Sequence, residues 1–304
     1  MKRDRRRIQR SKGELVFDGF NRLIMWFVII VIVYPFLNII AVSFSSAYYA
    51  QTGQVTFYPK DFTLSAYEYV FQDPQVFTGF RNSVIYAIGS VIVTLTFTSL
   101  IGYPLIYPQF KLRKFVTVVL AITMFFSGGM IPMYLLMRDL KLMDTLWVMI
   151  LPGSVSAYNV FMFRTFFNNI PGDLRESAII DGAGEWTVLL RIILPLSKPL
   201  LATFTLFTAV GSWNSWFNAL LFLTDSKRYP LQLILRNYIF TIDASAMQAR
   251  AGTTGAASLI SQMRTDPTSV RMAMVLVTIV PIMLIYPFLQ KYFVKGVMVG
   301  SVKG

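Results

Sequence analysis

The chain has no cysteine and no histidine in its 304 residues. Without cysteine there is no disulfide, thiolate metal site or thiol nucleophile. Without histidine the commonest general base and the commonest transition-metal ligand are missing as well. Charged residues are also scarce, at 14% against the roughly 25% of a soluble domain. What charge there is leans positive, giving a formal net +13. No G-x-x-x-x-G-K-[ST] loop is present to cradle a nucleotide phosphate, and no G-x-S-x-G nucleophile turn. There is no internal repeat, linker or low-complexity block, and the chain reads as one domain over 1–304.

What remains is apolar. Hydrophobic residues make up 55% and aromatic residues 15%, with a mean hydropathy of +0.56. Six runs, at about 23–44, 83–107, 115–137, 146–163, 199–224 and 272–290, contain no Asp, Glu, Lys or Arg. Their lengths fall in or close to the roughly 17–25 residues needed to cross a bilayer. An all-α membrane protein with six transmembrane helices is therefore expected. The first run is too long for the apolar core of a signal peptide. With the N-terminus inside, inner segments hold 18 Lys and Arg and outer segments 10, six of those in the long segment 225–271. The positive-inside rule then puts both termini in the cytoplasm. Seven Lys and Arg lie in residues 1–12, a topology determinant that can rest on anionic lipid headgroups rather than a nucleic-acid arm. Residues 13–22 are mildly amphipathic and are expected along the interface.

Two runs carry helix breakers, Ser127-Gly128-Gly129-Met130-Ile131-Pro132 and Leu151-Pro152-Gly153-Ser154. Broken backbone at membrane depth is tolerated where protein or a cavity covers it. These are either hinges or cavity walls, or close helix contacts through small residues. The fifth run holds Trp213, Asn214, Trp216 and Asn218. Asn214 and Asn218 would share one face of a continuous helix. Amides and aromatic faces suit a sugar, which would make these four residues part of a substrate path; interhelix hydrogen bonding suits the same residues. The long segment 225–271 opens with an apolar helix-like run to Phe240, followed by the small-residue stretch Ala244–Gly255, and is expected to bind a partner outside.

The longest polar interruption on the inner side, Arg175–Pro199, reads RESAIIDGAGEWTVLLRIILPLSKP. Asp181-Gly182 is expected to turn, because glycine takes a positive φ cheaply. Leu174 and Ala178 share a face before the turn. Trp186, Leu189, Leu190 and Ile193 form one apolar stripe after it, expected to pack inward on the chain's own cytoplasmic helix ends, and Pro195 is a stop. This gives a helix-turn-helix knob.

The elements Glu176-Ser177-Ala178, Asp181-Gly182-Ala183, Ile192 and Leu194-Pro195 resemble the EAA loop of ABC importer membrane subunits, with Ser177 in place of the second alanine; the resemblance implies that the first six of these residues couple the chain to a cytoplasmic ATPase by docking into its cleft. The Trp213-Asn214 pair, Leu220-Leu221-Phe222, FFSGGMIPMYLL and the tail KYFVKGVMVGSVKG look like the carbohydrate-uptake, MalG-like branch, closest to its LplC/YtcP-type members. The resemblance implies a permease that is not itself an enzyme and binds no cofactor. ATP and magnesium would sit on two partner ATPase subunits in the cytoplasm. A homologous second permease and an extracytoplasmic solute-binding protein would complete a binding-protein-dependent sugar importer in the bacterial plasma membrane. The cargo that branch implies is a sugar or oligosaccharide, such as a pectin-derived or other polysaccharide fragment. An ion-coupled secondary transporter or a structural membrane subunit are the alternatives. The first needs intramembrane ionisable groups, which the six runs lack; the second leaves the EAA-like spacing without a reason.

Overall fold

The computed structural model describes residues 12–250 and 267–301. The basic run over residues 1–11, the far part of the small-residue stretch and residues 302–304 lie outside them. Among the described residues the regular structure is helical, joined by turns and irregular segments, apart from an isolated antiparallel bridge between Ser45 and Phe62. Packing divides it into two compact units, Met1–Val70 with Ser245–Leu276, and Phe71–Ala244 with Val277–Gly304.

In the first unit, α1 runs from Lys12 to Ser43. The stretch expected to lie separately along the interface is instead the opening of this same helix, since nothing between Gly13 and Arg22 breaks it. Its apolar side chains are exposed all round from Leu23 to Val33, as in a helix whose solvent is lipid. Its end is fastened: Asn38 Nδ2 donates to the carbonyls of Val55 and Thr56 at 3.0 Å each, and Ala41, Val42, Ala50 and Val55 close a small core. Two short helices follow, α2 (Ala47–Gln51) and α3 (Ser65–Gln72).

The second unit is built on α4, Pro74–Gly102. Asp73 caps it, its carboxylate accepting from the Gln75 amide at 2.8 Å, and Pro74 suits the first helical position. The helix begins nine residues before the apolar run expected at 83. Ser83, Ser90, Thr94 and Thr98 recur along one buried face, and such small residues let helices approach closely. Beyond α4 come α5 (Arg113–Phe125), α6 (Met130–Asp139), α7 (Leu146–Ile150) and α8 (Ala157–Asn168). Then follow α9 (Asp173–Ile180) and α10 (Glu185–Leu196), then α11 (Lys198–Trp213), α12 (Trp216–Phe222), α13 (Leu231–Arg250) and α14 (Pro267–Ser301).

Among the described residues three helical stretches are long and apolar enough to cross a membrane, Val16–Ser43, Pro74–Ile106 and Pro267–Pro287. A fourth is reached if α10 and α11, bent by 79° at their junction, are counted together. The other expected runs are interrupted. The third splits into α5 and α6 at Gly129, whose φ is +85°, and the fourth into α7 and α8 around Gly153, at φ +76°. The fifth splits at Asn214 and Ser215, where no glycine or proline marked a break. Asn214 is the C-cap of α11, and its peptide carbonyl accepts from Trp216 N at 2.9 Å. Asn214 and Asn218 therefore do not share a helix face.

Candidate functional site

The EAA-like loop is α9, a turn and α10. Asp173 and Glu176 sit in the first turn of α9, where carboxylates favour the helix dipole. The helix ends as expected. Gly182 has φ +85°, its amide donates to Ile179 O at 3.0 Å, and Ala183 N donates to Ala178 O at 2.8 Å. This is the paired closure that a left-handed glycine allows.

α10 departs from the expected stripe. A π-turn spans Leu189–Ile193. Pro195 has no N–H to return to the Arg191 carbonyl, and the wider turn absorbs that loss without stopping the helix, which runs on to Leu196. The bend falls at Ser197, whose hydroxyl donates to Ile193 O at 2.7 Å. The shifted register buries Val188, Leu189 and Ile193 against Tyr103, Phe163, Phe167 and Phe204. It leaves Trp186 66% and Leu190 58% exposed, with Ile180 at 85% across the turn. Ala178 and Ala183 pack partly onto the same core. Glu176, Ser177, Asp181 and Gly182 are exposed. Ser177 Oγ bonds back to Asp173 O at 2.9 Å, and Glu176 makes no ion pair among the described residues.

A brace that sequence reading missed joins the two arms. Arg175 on α9 forms an ion pair with Glu185 at the start of α10. The Tyr103 hydroxyl donates to Glu185 Oε2 at 2.6 Å, and the Arg175 guanidinium lies 4.3 Å from the centre of the Tyr107 ring. The Arg175 hydrogen bond, helped by that of Tyr103, holds the Glu185 carboxyl below its ordinary range, against partial burial.

Elsewhere in the same unit, a cavity of about 290 Å³ opens among α4, the α7–α8 break, α11 and α12. Its polar lining includes Ser90, Thr94, Asn159, Ser212, Ser215 and Asn218, and no charged side chain lines it. Trp213, Asn214, Trp216 and Asn218 are only partly brought together. Asn218 faces the cavity. Asn214 is exposed at the break, its Oδ1 accepting from Gln232 Nε2 at 3.0 Å. Trp213 is buried, its indole N–H donating to Thr278 O at 3.2 Å and its ring meeting Phe80 edge-on. Trp216 is 39% exposed and carries the Arg236 guanidinium 5.1 Å from its ring centre. Nearby, Asp144 fastens the end of α12, accepting from Thr224 Oγ1 at 2.5 Å, Thr224 N at 2.6 Å and Asp225 N at 3.0 Å. Those bonds, that of the Thr224 hydroxyl first, lower its pKa.

Apolar helices long enough to cross a membrane, interrupted apolar helices around a polar cavity, and a capped helix-turn-helix knob fit a membrane transport subunit. The chain belongs to the family described as the inner membrane component of binding-protein-dependent transport systems, which matches residues 106–299. It is thus a permease subunit of an ABC transporter, a class of subunit without an ATPase site. It is 40% identical to Protein LplC of Bacillus subtilis (strain 168) over 97% of each chain. It is 36% identical to the polygalacturonan/rhamnogalacturonan transport system permease protein YtcP of the same organism, over 94% of this chain and 98% of that one. Among solved structures it matches a bacterial ABC transporter involved in the import of the acidic polysaccharide alginate. The TM-score is 0.85 at 30% identity, covering 93% of this chain and 99% of the other.

Proposed function

We propose that the chain is one transmembrane domain of six spans, with both termini cytoplasmic, and that it forms half of the path of an ATP-driven importer for saccharides. A homologous second permease supplies the other half. Two cytoplasmic ATPase subunits carry ATP and magnesium, and an extracytoplasmic binding protein delivers the cargo. Acidic polysaccharide fragments, pectin-derived ones among them, are the favoured cargo, in line with the substrates that the names of YtcP and the alginate importer give for those proteins.

The observation that carries the coupling role is the outward face of the EAA-like loop. Ile180, Trp186 and Leu190 stand in the open beside Glu176 and Gly182, on a base fixed by Val188, Leu189 and Ile193. An apolar patch with a carboxylate at its edge is what an ATPase cleft with basic groups would bury. The uncharged hydroxyl and amide lining of the cavity supports a cargo held by hydrogen bonds. Co-expression with the cognate permease and ATPase tests the coupling role. The wild-type chain is expected to purify with both, and Ile180→Asp to keep the permease and lose the ATPase. Full ATPase retention by Ile180→Asp and by Glu176→Ala together would reject it.

A further inference from the structure

Neither the loop nor the cavity uses Arg236. It lies on α13, four residues after Gln232 and on the same helix face. Its guanidinium carbon is 5.1 Å from the ring centre of Trp216 and 4.4 Å from that of Phe240, so two aromatic faces fix it. Nη1 donates to Asn237 Oδ1 at 3.4 Å; Nε is buried and without a partner. No carboxylate pairs with this cation among the described residues. Nε is therefore closed to a ligand, and what stands open is the charge itself: a cation held without a carboxylate is costly unless something arrives to pair with its outer nitrogens. Trp216 directly follows Ser215 of the cavity wall, and the Gln232–Asn214 amide pair adjoins the same surface.

We propose that Arg236 is the specificity-determining residue that reads a carboxylate on the transported saccharide; this rests on the saccharide-import reading above. A guanidinium presents its paired donors as a planar fork that matches a carboxylate two bonds at a time, which a lysine ammonium cannot do. The aromatic contacts hold the fork. The partly exposed face of Trp216 is left for the C–H face of a sugar ring, and the amides of Asn214 and Gln232 for hydroxyls. A neutral sugar would meet the ring and the amides and gain nothing from the fork. Arg236 lies outside the charge-free spans, so a uronic acid would be recognised at this surface and then move into a cavity with no fixed charge to trap it.

The test uses the assembled importer, purified without its binding protein. Its affinity is measured for an oligogalacturonide of fixed length and for the same oligomer with its carboxyl groups reduced to alcohols. The wild type is expected to bind the acid about tenfold or more tightly than the alcohol, the scale of a hydrogen bond to a charged group. Arg236→Gln should bring the two together by weakening the acid alone, and Arg236→Lys should fall between. Equal weakening of both sugars, or of neither, overturns the proposal, because the contact is then packing or a docking surface for a protein. If Arg236→Gln does not assemble, Arg236→Lys decides: affinities equal to wild type overturn the proposal. A wild-type importer that binds neither sugar, yet hydrolyses ATP when its binding protein brings another solute, overturns the saccharide reading and this inference with it.

Discussion

The Tyr103 hydroxyl donates to Glu185 Oε2 at 2.6 Å across 82 positions of sequence. That bond ties the EAA-like loop to the point where α4 ends and a short 3-10 turn, Pro104–Ile106, begins. Arg175 completes the tie from the other arm of the loop. A push on the loop therefore reaches the end of a long helix through a charge-assisted contact as well as through apolar packing.

The brace gives a pH prediction. The folded state holds the Glu185 carboxyl below its ordinary value, so its contribution is fully present above the unfolded pKa of about 4.3. It is lost as pH falls through the depressed folded value. Loop docking should be flat across neutral pH and loosen only in acid. Because the chain lacks cysteine, maleimide labelling of a single Ala183→Cys reports it. Glu185→Gln should label faster at neutral pH and lose the acid step, and Tyr103→Phe should show a smaller change in the same direction.

Gly182 makes a sharper test of the turn. Nothing lies within 4 Å of a Cβ placed there, so its φ of +85° is the whole obstacle to a side chain. Gly182→Val should cost about 1–2 kcal/mol of backbone strain, leave insertion intact and uncouple ATP hydrolysis from transport. Gly184, with equal space and φ −78°, should accept alanine. Full transport by Gly182→Val would remove the turn from the coupling account.

Gly79 predicts an assembly defect. A Cβ there would meet Ile234 Cδ1 at 2.3 Å and the Leu231 backbone nitrogen at 3.2 Å. Close by, Asn82 Nδ2 donates to the Lys227 and Tyr229 carbonyls at 2.8 and 3.1 Å, and Leu231 N donates to Ser83 Oγ at 2.9 Å. Gly79→Val should push the start of α13 off α4 and lower the yield of assembled complex. Yield and melting temperature equal to wild type would show that the contact yields freely.

Asn214→Ala and Asn218→Ala should separate path from scaffold. Asn218, on the cavity wall, should lose transport per complex at normal yield. One hydrogen bond to a neutral group is worth about 0.5–1.5 kcal/mol, a few-fold to roughly tenfold. Asn214 should lose yield as well, because its side chain holds Gln232 at the break. Normal transport per complex for Asn218→Ala would take that residue out of the path.

Much of the loop was legible because its determinants are local. The Asp181-Gly182 pair announces a turn by its own backbone preference, and Gly129 and Gly153 mark breaks for the same reason. The inward stripe was misassigned at Trp186 and Leu190 because the π-turn is enforced by Pro195, several residues further on, and shifts the phase of an otherwise helical pattern. The break at Asn214 carries no glycine or proline; it is stabilised by Gln232, which no local pattern connects to it. The Arg175–Glu185–Tyr103 brace and the Arg236 stack escaped for the same reason, since each joins residues that only the packing brings together. Composition left Trp213 between a sugar contact and an interhelix hydrogen bond, and its indole N–H donates to Thr278 O, a partner that no local pattern names.

The proposed activity is ATP-driven, binding-protein-dependent import of a saccharide through a path that this chain half builds. Uptake of a labelled oligogalacturonide into proteoliposomes holding the complete complex measures it directly. Uptake should require both internal ATP and external binding protein, and should persist when proton and sodium gradients are collapsed. Deleting Ala244–Gly255 should abolish the stimulation of ATP hydrolysis by the binding protein while the membrane complex still forms. Uptake driven by an ion gradient without ATP, or ATP-driven uptake indifferent to the binding protein, would contradict the account.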